Sequence, residues 1–65
     1  MAKVYVFEDT LKKEKVAYAF YDGKWREDTI ILSAREKARI RRKPKRSKFG
    51  YKVYVLDSFV ELGGN

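Results

Sequence analysis

Residues 15–29 read KVAYAFYDGKWREDT, and this stretch decides the fold that the sequence predicts. Its first half alternates β-branched and aromatic residues with a period of two, which is typical of a β-strand. Asp22 and Gly23 follow, and this dipeptide tolerates the positive φ angles that a two-residue type I′ turn requires. The stretch therefore predicts a tight β-hairpin in which Phe20 faces Trp25, with the second strand running to about Thr29 or beyond.

Two further strands are predicted on either side of this hairpin. The segments KVYVF at 3–7 and YKVYVL at 51–56 alternate in the same way and are rich in valine and tyrosine. The polar residues at 8–14 are expected to form a loop. Residues 59–62 are compatible with a short fifth strand, and residues 63–65 with a flexible C-terminal tail.

One helix is predicted between the hairpin and the last strand. Ser33 and Glu36 have the spacing of a capping box, in which each side chain binds the backbone amide of the other residue. The helix is expected over about residues 34–43, ending before Pro44 because proline disfavours helical geometry in the residue ahead of it. A helix that begins at Asp28 is an open alternative, since the apolar run that follows it fits either structure.

These elements predict one α+β domain over residues 1–62, with the order β-β-β-α-β. Alternation gives both sides of the strands apolar side chains, which are Val4, Val6, Val16, Phe20 and Trp25 on one side and Tyr5, Phe7, Ala17, Ala19, Tyr54 and Leu56 on the other. The short helix is too small to cover a second face. Either the antiparallel sheet curls into a partly closed barrel, or a partner covers its aromatic side.

The excess charge of the chain lies in one place. The net charge is +7, and the segment from Arg35 to Lys48 alone holds nine basic residues and one acidic residue. We call residues 34–48 the basic helix and arm. Five of the six arginines lie there, and the planar guanidinium group suits phosphate recognition better than lysine does. Within residues 39–48 only Ile40 is expected to face the protein.

A polyanion is the partner that this charge favours. Like charges three and four residues apart on a helix repel each other, and phosphates relieve that repulsion while releasing counterions. The expected nucleic-acid-binding residues are Arg35, Arg39, Arg41, Arg42, Lys43, Lys45, Arg46 and Lys48. A solvated charged surface, an anionic membrane or protein, and a nuclear import label are the competing interpretations.

The tyrosines on the predicted strands have two interpretations. Tyr5, Tyr51 and Tyr54 are candidates for stacking on unpaired bases, as in RNA-binding sheets. Packing alone also favours aromatic residues in strands, and this second interpretation has them fill a core with their hydroxyl groups at its rim.

Several functional classes lack the residues that they need. The chain has no cysteine and no histidine, which excludes disulfides and the common zinc sites. Its carboxylates show no acid–base pairing and it has no glycine-rich phosphate loop, so we expect no enzyme activity, cofactor, metal or small-molecule substrate. No segment resembles a signal peptide or a membrane span, which predicts a cytoplasmic protein. The absence of glutamine is typical of proteins from hot environments.

In general build the chain is similar to small basic ribosomal proteins, in which a cationic segment projects from a small domain. The resemblance lies in composition and layout. It implies a structural RNA-binding protein of the ribosome or another ribonucleoprotein, with ribosomal RNA and neighbouring ribosomal proteins as partners. The alternatives are a chromatin protein of a thermophile that binds duplex DNA, and a protein adaptor that uses an exposed aromatic sheet face.

Overall fold

The computed structural model describes residues 3–63. Its elements are β1 (Val4–Phe7), β2 (Lys15–Tyr21), β3 (Trp25–Ile31), α1 (Ala34–Ile40), β4 (Lys45–Lys48) and β5 (Tyr51–Leu56). Two short 3₁₀ segments complete the fold, the first at Glu8–Lys12 and the second at Phe59–Leu62. Among the described residues no helix is long and apolar enough to cross a membrane.

The five strands form one sheet in the order β3-β2-β1-β5-β4, and every neighbouring pair is antiparallel. This confirms the prediction of a small antiparallel sheet with one helix. The two edge strands, β3 and β4, do not pair with each other in the described part of the chain, so the sheet is open. The barrel alternative is not formed.

One side of the sheet, the covered face, carries the main core. Val4 pairs with Leu56 and Val6 pairs with Tyr54, so these four side chains point to the same side. The helix and both 3₁₀ segments pack on them through Ile40, Leu11 and Leu62, which are almost fully buried. The prediction that Ile40 faces the protein is confirmed.

The placement of Tyr54 and Leu56 opposite the valines was wrong. Alternation within a strand shows which residues share a side, but it carries no information about which side faces the core. Pairing with β1 settles this and places Val53, rather than Tyr54, beside Phe7. Val53 joins Phe7 and Ala19 in a smaller cluster on the opposite side, which we call the open face.

The capping box is confirmed. The backbone amide of Ser33 donates to the Glu36 carboxylate at 2.9 Å, and the amide of Glu36 donates to the Ser33 hydroxyl at 3.2 Å. The helix ends at Ile40, earlier than predicted, because the chain turns there to enter the sheet. The carbonyl of Pro44 already accepts a hydrogen bond from the amide of Val55 at 3.1 Å. The alternative helix from Asp28 is not formed, since that residue lies in β3.

The hairpin between β2 and β3 has a different register from the predicted one. Trp25 pairs with Tyr21 and not with Phe20. The loop between the two strands therefore has three residues, Asp22 to Lys24. Gly23 lies at its centre with φ +74°. A shift of one residue moves every side chain of the following strand to the other side of the sheet. Trp25 therefore lies on the open face and not beside Phe20.

Three irregular segments also differ from their predictions. The expected loop after β1 contains the first 3₁₀ segment, because Leu11 turns inward and is buried. The suggested fifth strand is the second 3₁₀ segment, whose Phe59 packs against Phe20 with ring centroids 5.0 Å apart. The expected extended arm at 45–48 is the edge strand β4. Gly63 ends the second 3₁₀ segment, and the rest of the predicted tail, residues 64–65, lies outside the described residues.

Candidate nucleic-acid interface

The basic helix and arm contributes to both sides of the sheet. Its helix packs on the covered face, and its last four residues form the edge strand β4. Along β4 the side chains alternate, so Lys45 lies on the covered face with Tyr54, while Arg46 and Lys48 lie on the open face with Val53 and Tyr51. The structure thus divides the cationic segment between the two sides of the sheet.

Two lysines of the segment are bound within the fold. Lys43 forms an ion pair with Glu61, and the ammonium group of Lys45 lies 3.0 Å from the Glu8 carboxylate. The hydrogen bond between Lys45 and Glu8 raises the pKa of the lysine and lowers that of the carboxyl group. We therefore assign Lys43 and Lys45 mainly to holding the segment in place.

Two further bases donate to backbone carbonyl groups of other elements. Lys37 binds the carbonyl of Lys13 at 2.9 Å, and Arg39 binds that of Glu61 at 3.3 Å. Both contacts join α1 to a 3₁₀ segment or its flank. An Arg39 guanidinium that donates one N–H group still has four others for a second partner.

Five bases of the basic helix and arm make neither an ion pair nor a side-chain hydrogen bond within residues 3–63. They are Arg35, Arg41, Arg42, Arg46 and Lys48. All four arginines are exposed, and Lys48 is half-buried. Arg35, Arg39 and Arg42 line one groove beside α1, together with Glu36 and Ala38. The structure thus brings three arginines of the basic helix and arm together at one groove.

Aromatic side chains form a cluster on the open face. The ring of Trp25 lies 5.7 Å from that of Tyr5 and 4.8 Å from that of Phe49, measured between centroids. Trp25 and Phe49 occupy diagonally opposite corners of the sheet, so their contact shows how strongly the sheet curls. The ammonium group of Lys48 lies over all three rings, 5.1 to 5.8 Å from their centroids. This distance is within the range of a cation–π interaction.

The turn between β4 and β5 places Phe49 in this cluster. Phe49 and Gly50 both have positive φ angles, 57° and 76°, which is the pattern of a type I′ turn. A phenylalanine rarely adopts this left-handed conformation, and it costs on the order of 1 kcal/mol. The ring contacts across the open face compensate for that strain.

A cleft opens beside the aromatic cluster. It is lined by Phe7, Ala19, Trp25, Glu27, Phe49 and Tyr51. The small side chain of Ala19 leaves room at its floor, and Trp25, Phe49 and Tyr51 are each 44% to 56% exposed. A neighbouring groove is lined by Lys3, Tyr5, Arg46, Ser47, Lys48 and Val55. The aromatic cluster therefore separates a cleft that contains the Glu27 carboxylate from a cationic groove.

The three candidate stacking tyrosines do not share one surface. Tyr5 is half-buried in the aromatic cluster, and Tyr51 is exposed at the cleft with its ring 5.5 Å from that of Phe7. Tyr54 is 6% exposed and belongs to the main core on the covered face. Including Tyr54 among the stacking residues was wrong because the register of β5 turns it inward. Trp25 and Glu27 were missed because the predicted hairpin register placed β3 with its sides reversed. Phe49 was missed because the turn between β4 and β5 was not predicted.

Comparison with known proteins adds no family to this picture. No protein-family model, curated protein or solved structure matches the chain.

The geometry provides two chemically different surfaces. The groove along α1 offers guanidinium groups in a row, which suits the phosphates of a folded polyanion. The open face combines flat exposed rings with Arg46 and Lys48, which suits bases and phosphates together. Neither surface carries a nucleophile with an adjacent general base in the described residues.

Proposed function

We propose that this protein binds nucleic acid as a structural component, with folded RNA, and ribosomal RNA in particular, as its partner. The observation that carries the proposal is the concentration of unpaired charge in the basic helix and arm, where seven of the nine bases form no ion pair within residues 3–63. A charged surface that served only solubility would intersperse acids among its bases. Here Glu36 is the only acidic residue of the segment, and it is engaged in the capping box.

Binding rests on phosphate contacts from both surfaces. Arg35, Arg39 and Arg42 present guanidinium forks from the groove along α1, and each fork can bridge two phosphate oxygens. Arg46 and Lys48 provide further cations on the open face. Because these contacts address phosphates, they supply affinity and orientation without reading sequence.

Folded RNA is favoured over duplex DNA by the arrangement of charge. The bases are divided between the groove along α1 and the open face, which suits a folded RNA whose helices can contact both sides of the protein. A protein adaptor that used the aromatic face would not require these bases. One observation favours the DNA alternative: Trp25 and Tyr51 are exposed beside Arg46 and Lys48, as in proteins that insert apolar wedges into the minor groove.

The test compares two triple variants that lose the same charge. Arg35, Arg42 and Arg46 are replaced by alanine in one, and Lys12, Lys13 and Lys15 in the matched control. Binding to a folded ribosomal RNA fragment, a DNA duplex and an unstructured single strand is measured at several salt concentrations. Five phosphate contacts predict a slope of log K against log salt of about −4 to −5 on duplex. The arginine variant should lose most of its affinity and the lysine variant little.

Thermal unfolding of both variants provides the folding control. The three arginines make no ion pair in the described structure, so the melting temperature should change by only a few degrees. A salt slope near zero, or equal losses in the two variants, contradicts the proposal. Tighter binding to duplex DNA than to folded RNA at every salt concentration supports the chromatin alternative instead.

A further inference from the structure

The cleft on the open face has features that phosphate binding does not explain. Its volume is about 310 Å³, at the lower end of the roughly 300–1,000 Å³ typical of small-molecule sites. That space suits one flat ring system and not a folded segment. Its aromatic walls remain about half exposed, although their burial against each other would have stabilised so small a domain.

One wall of the cleft carries a carboxylate. Glu27 lies on β3 opposite Ala19, and it forms no ion pair within residues 3–63. An ionised carboxylate only accepts hydrogen bonds, so the occupant of the cleft must offer N–H or O–H donors at its edge. A second carboxylate or a phosphate is excluded from this position by repulsion.

The other side of the aromatic cluster is cationic. Arg46 and Lys48 line the neighbouring groove, and Trp25, Tyr5 and Phe49 form the partition between that groove and the cleft. A nucleotide has this same polarity, with a flat base at one end and an anionic phosphate at the other. The charges on the two sides of the partition therefore complement the two ends of a single nucleotide.

We propose that the cleft binds one unpaired guanine base of single-stranded RNA, with Tyr51 and Trp25 contacting the ring and Glu27 accepting hydrogen bonds from its edge. Guanine presents two adjacent donors, N1–H and the N2 amino group, which match the two oxygens of a carboxylate. Uracil offers one N–H group between two carbonyl oxygens, which the carboxylate repels. The adjoining phosphate is bound by Lys48 and Arg46. This inference rests on the proposed function, because it names what the open face recognises within the RNA.

The structure provides its own reporter for this site. Trp25 is the only tryptophan of the chain and lies in the wall of the cleft, so a base that stacks there should quench its fluorescence. The probes are single-stranded RNA hexamers of uridine, with or without one guanosine or one adenosine at the third position. We expect the guanosine hexamer to quench Trp25 and to bind at least tenfold more tightly than hexauridine.

Two variants separate base recognition from charge. Glu27→Gln should reduce the preference for guanosine to less than threefold, because the amide presents one acceptor where the carboxylate presents two. Glu14→Gln changes the same charge in an exposed loop and should leave the preference unchanged. Tyr51→Leu should weaken binding of the guanosine hexamer about tenfold through lost stacking. Circular dichroism confirms that each variant is folded.

The outcomes distinguish this inference from the proposed function. If the hexamers bind, as measured by anisotropy of a labelled strand, but leave Trp25 fluorescence unchanged, the cleft is not the base site. An undiminished guanosine preference in Glu27→Gln overturns the role of the carboxylate. In both cases the salt-dependent binding of ribosomal RNA remains a separate measurement. If that binding is also absent, the proposed function fails together with the inference.

Discussion

Among single residues, Phe49 has a backbone conformation that is unusual for its side chain. Phe49 adopts a positive φ angle that glycine or asparagine would normally supply. Phe49-Gly50 therefore gave no turn signal of its own, and the β4–β5 hairpin was missed. The contacts of the Phe49 ring with Tyr5 and Trp25 on the open face were therefore not predicted from the sequence.

Gly63 shows a second residue-scale constraint, and it gives a prediction. It has φ +116°, and a Cβ atom there would meet the carboxylate of Glu36 and the side chain of Leu32. Gly63→Ala should therefore lower the free energy of unfolding by about 2–3 kcal/mol, through backbone strain and displacement of Glu36 from the capping box. Urea unfolding at neutral pH measures this loss.

Gly23→Ala is the matched control for that change. Gly23 also has a positive φ angle, +74°, but nothing lies within 4 Å of the position that a Cβ atom would occupy there. Gly23→Ala should lower the free energy of unfolding by only about 1 kcal/mol, through backbone strain alone. Equal losses in the two variants would show that Glu36 is not displaced.

At the scale of elements, local signals predicted what local interactions determine. The alternation in β1, β2 and β5 and the capping box of α1 each depend on residues within one element, and each is confirmed. The strand β4 was missed because KRSK lacks the apolar alternation of a buried strand. It pairs at the edge of the sheet, where charged side chains are tolerated and hinder pairing with other chains.

The capping box yields the prediction at this scale. Ser33→Ala removes the hydroxyl that accepts from the Glu36 amide, and it should lower the free energy of unfolding by about 1 kcal/mol. Ser47→Ala is the control, because Ser47 lies exposed on β4. Chemical denaturation of both variants measures the difference. A loss in Ser33→Ala no larger than that in Ser47→Ala would contradict the capping assignment.

At the scale of the whole molecule, the sequence could not determine how distant strands meet. The register between β1 and β5 joins residues about fifty positions apart, and the shift at Asp22 to Lys24 arises from one additional loop residue. The register and the additional loop residue both determine which side chains face the core. Neither can be recognised from the alternation of residues within either strand. The position of the basic segment was predictable from charge alone, but its division between two surfaces was not.

The contacts of three carboxylates, two with lysines and one with a backbone amide, predict how the stability of the fold changes in acid. The pKa of Glu8 is lowered by its hydrogen bond to Lys45, that of Glu36 by the backbone amide of Ser33, and that of Glu61 by Lys43. Each folded value lies below the ordinary value of 4.5, so folding favours the ionised form. Their contribution is therefore present at neutral pH and is lost as the pH falls below about 4.5 through the folded pKa values.

Thermal unfolding between pH 7 and pH 2.5 measures this dependence. The melting temperature should fall across the acidic range, and Glu61→Gln should make the fall shallower because one of the three contacts no longer titrates. Glu14→Gln, at an exposed loop position, should leave the slope unchanged. A melting temperature that rises on acidification would contradict the assignment.

The two ion pairs that hold Lys43 and Lys45 have a consequence for the thermodynamics of recognition. Between these two lysines the carbonyl of Pro44 is hydrogen-bonded to the amide of Val55. Arg46 comes next to Lys45 and lies in β4, where it pairs with Val53. The conformational entropy of the arm is thus lost during folding and not during association. Calorimetry should find a small heat-capacity change on binding, in contrast to the large negative value of basic tails that fold on their target. A large negative value would indicate that the arm rearranges when it meets its partner.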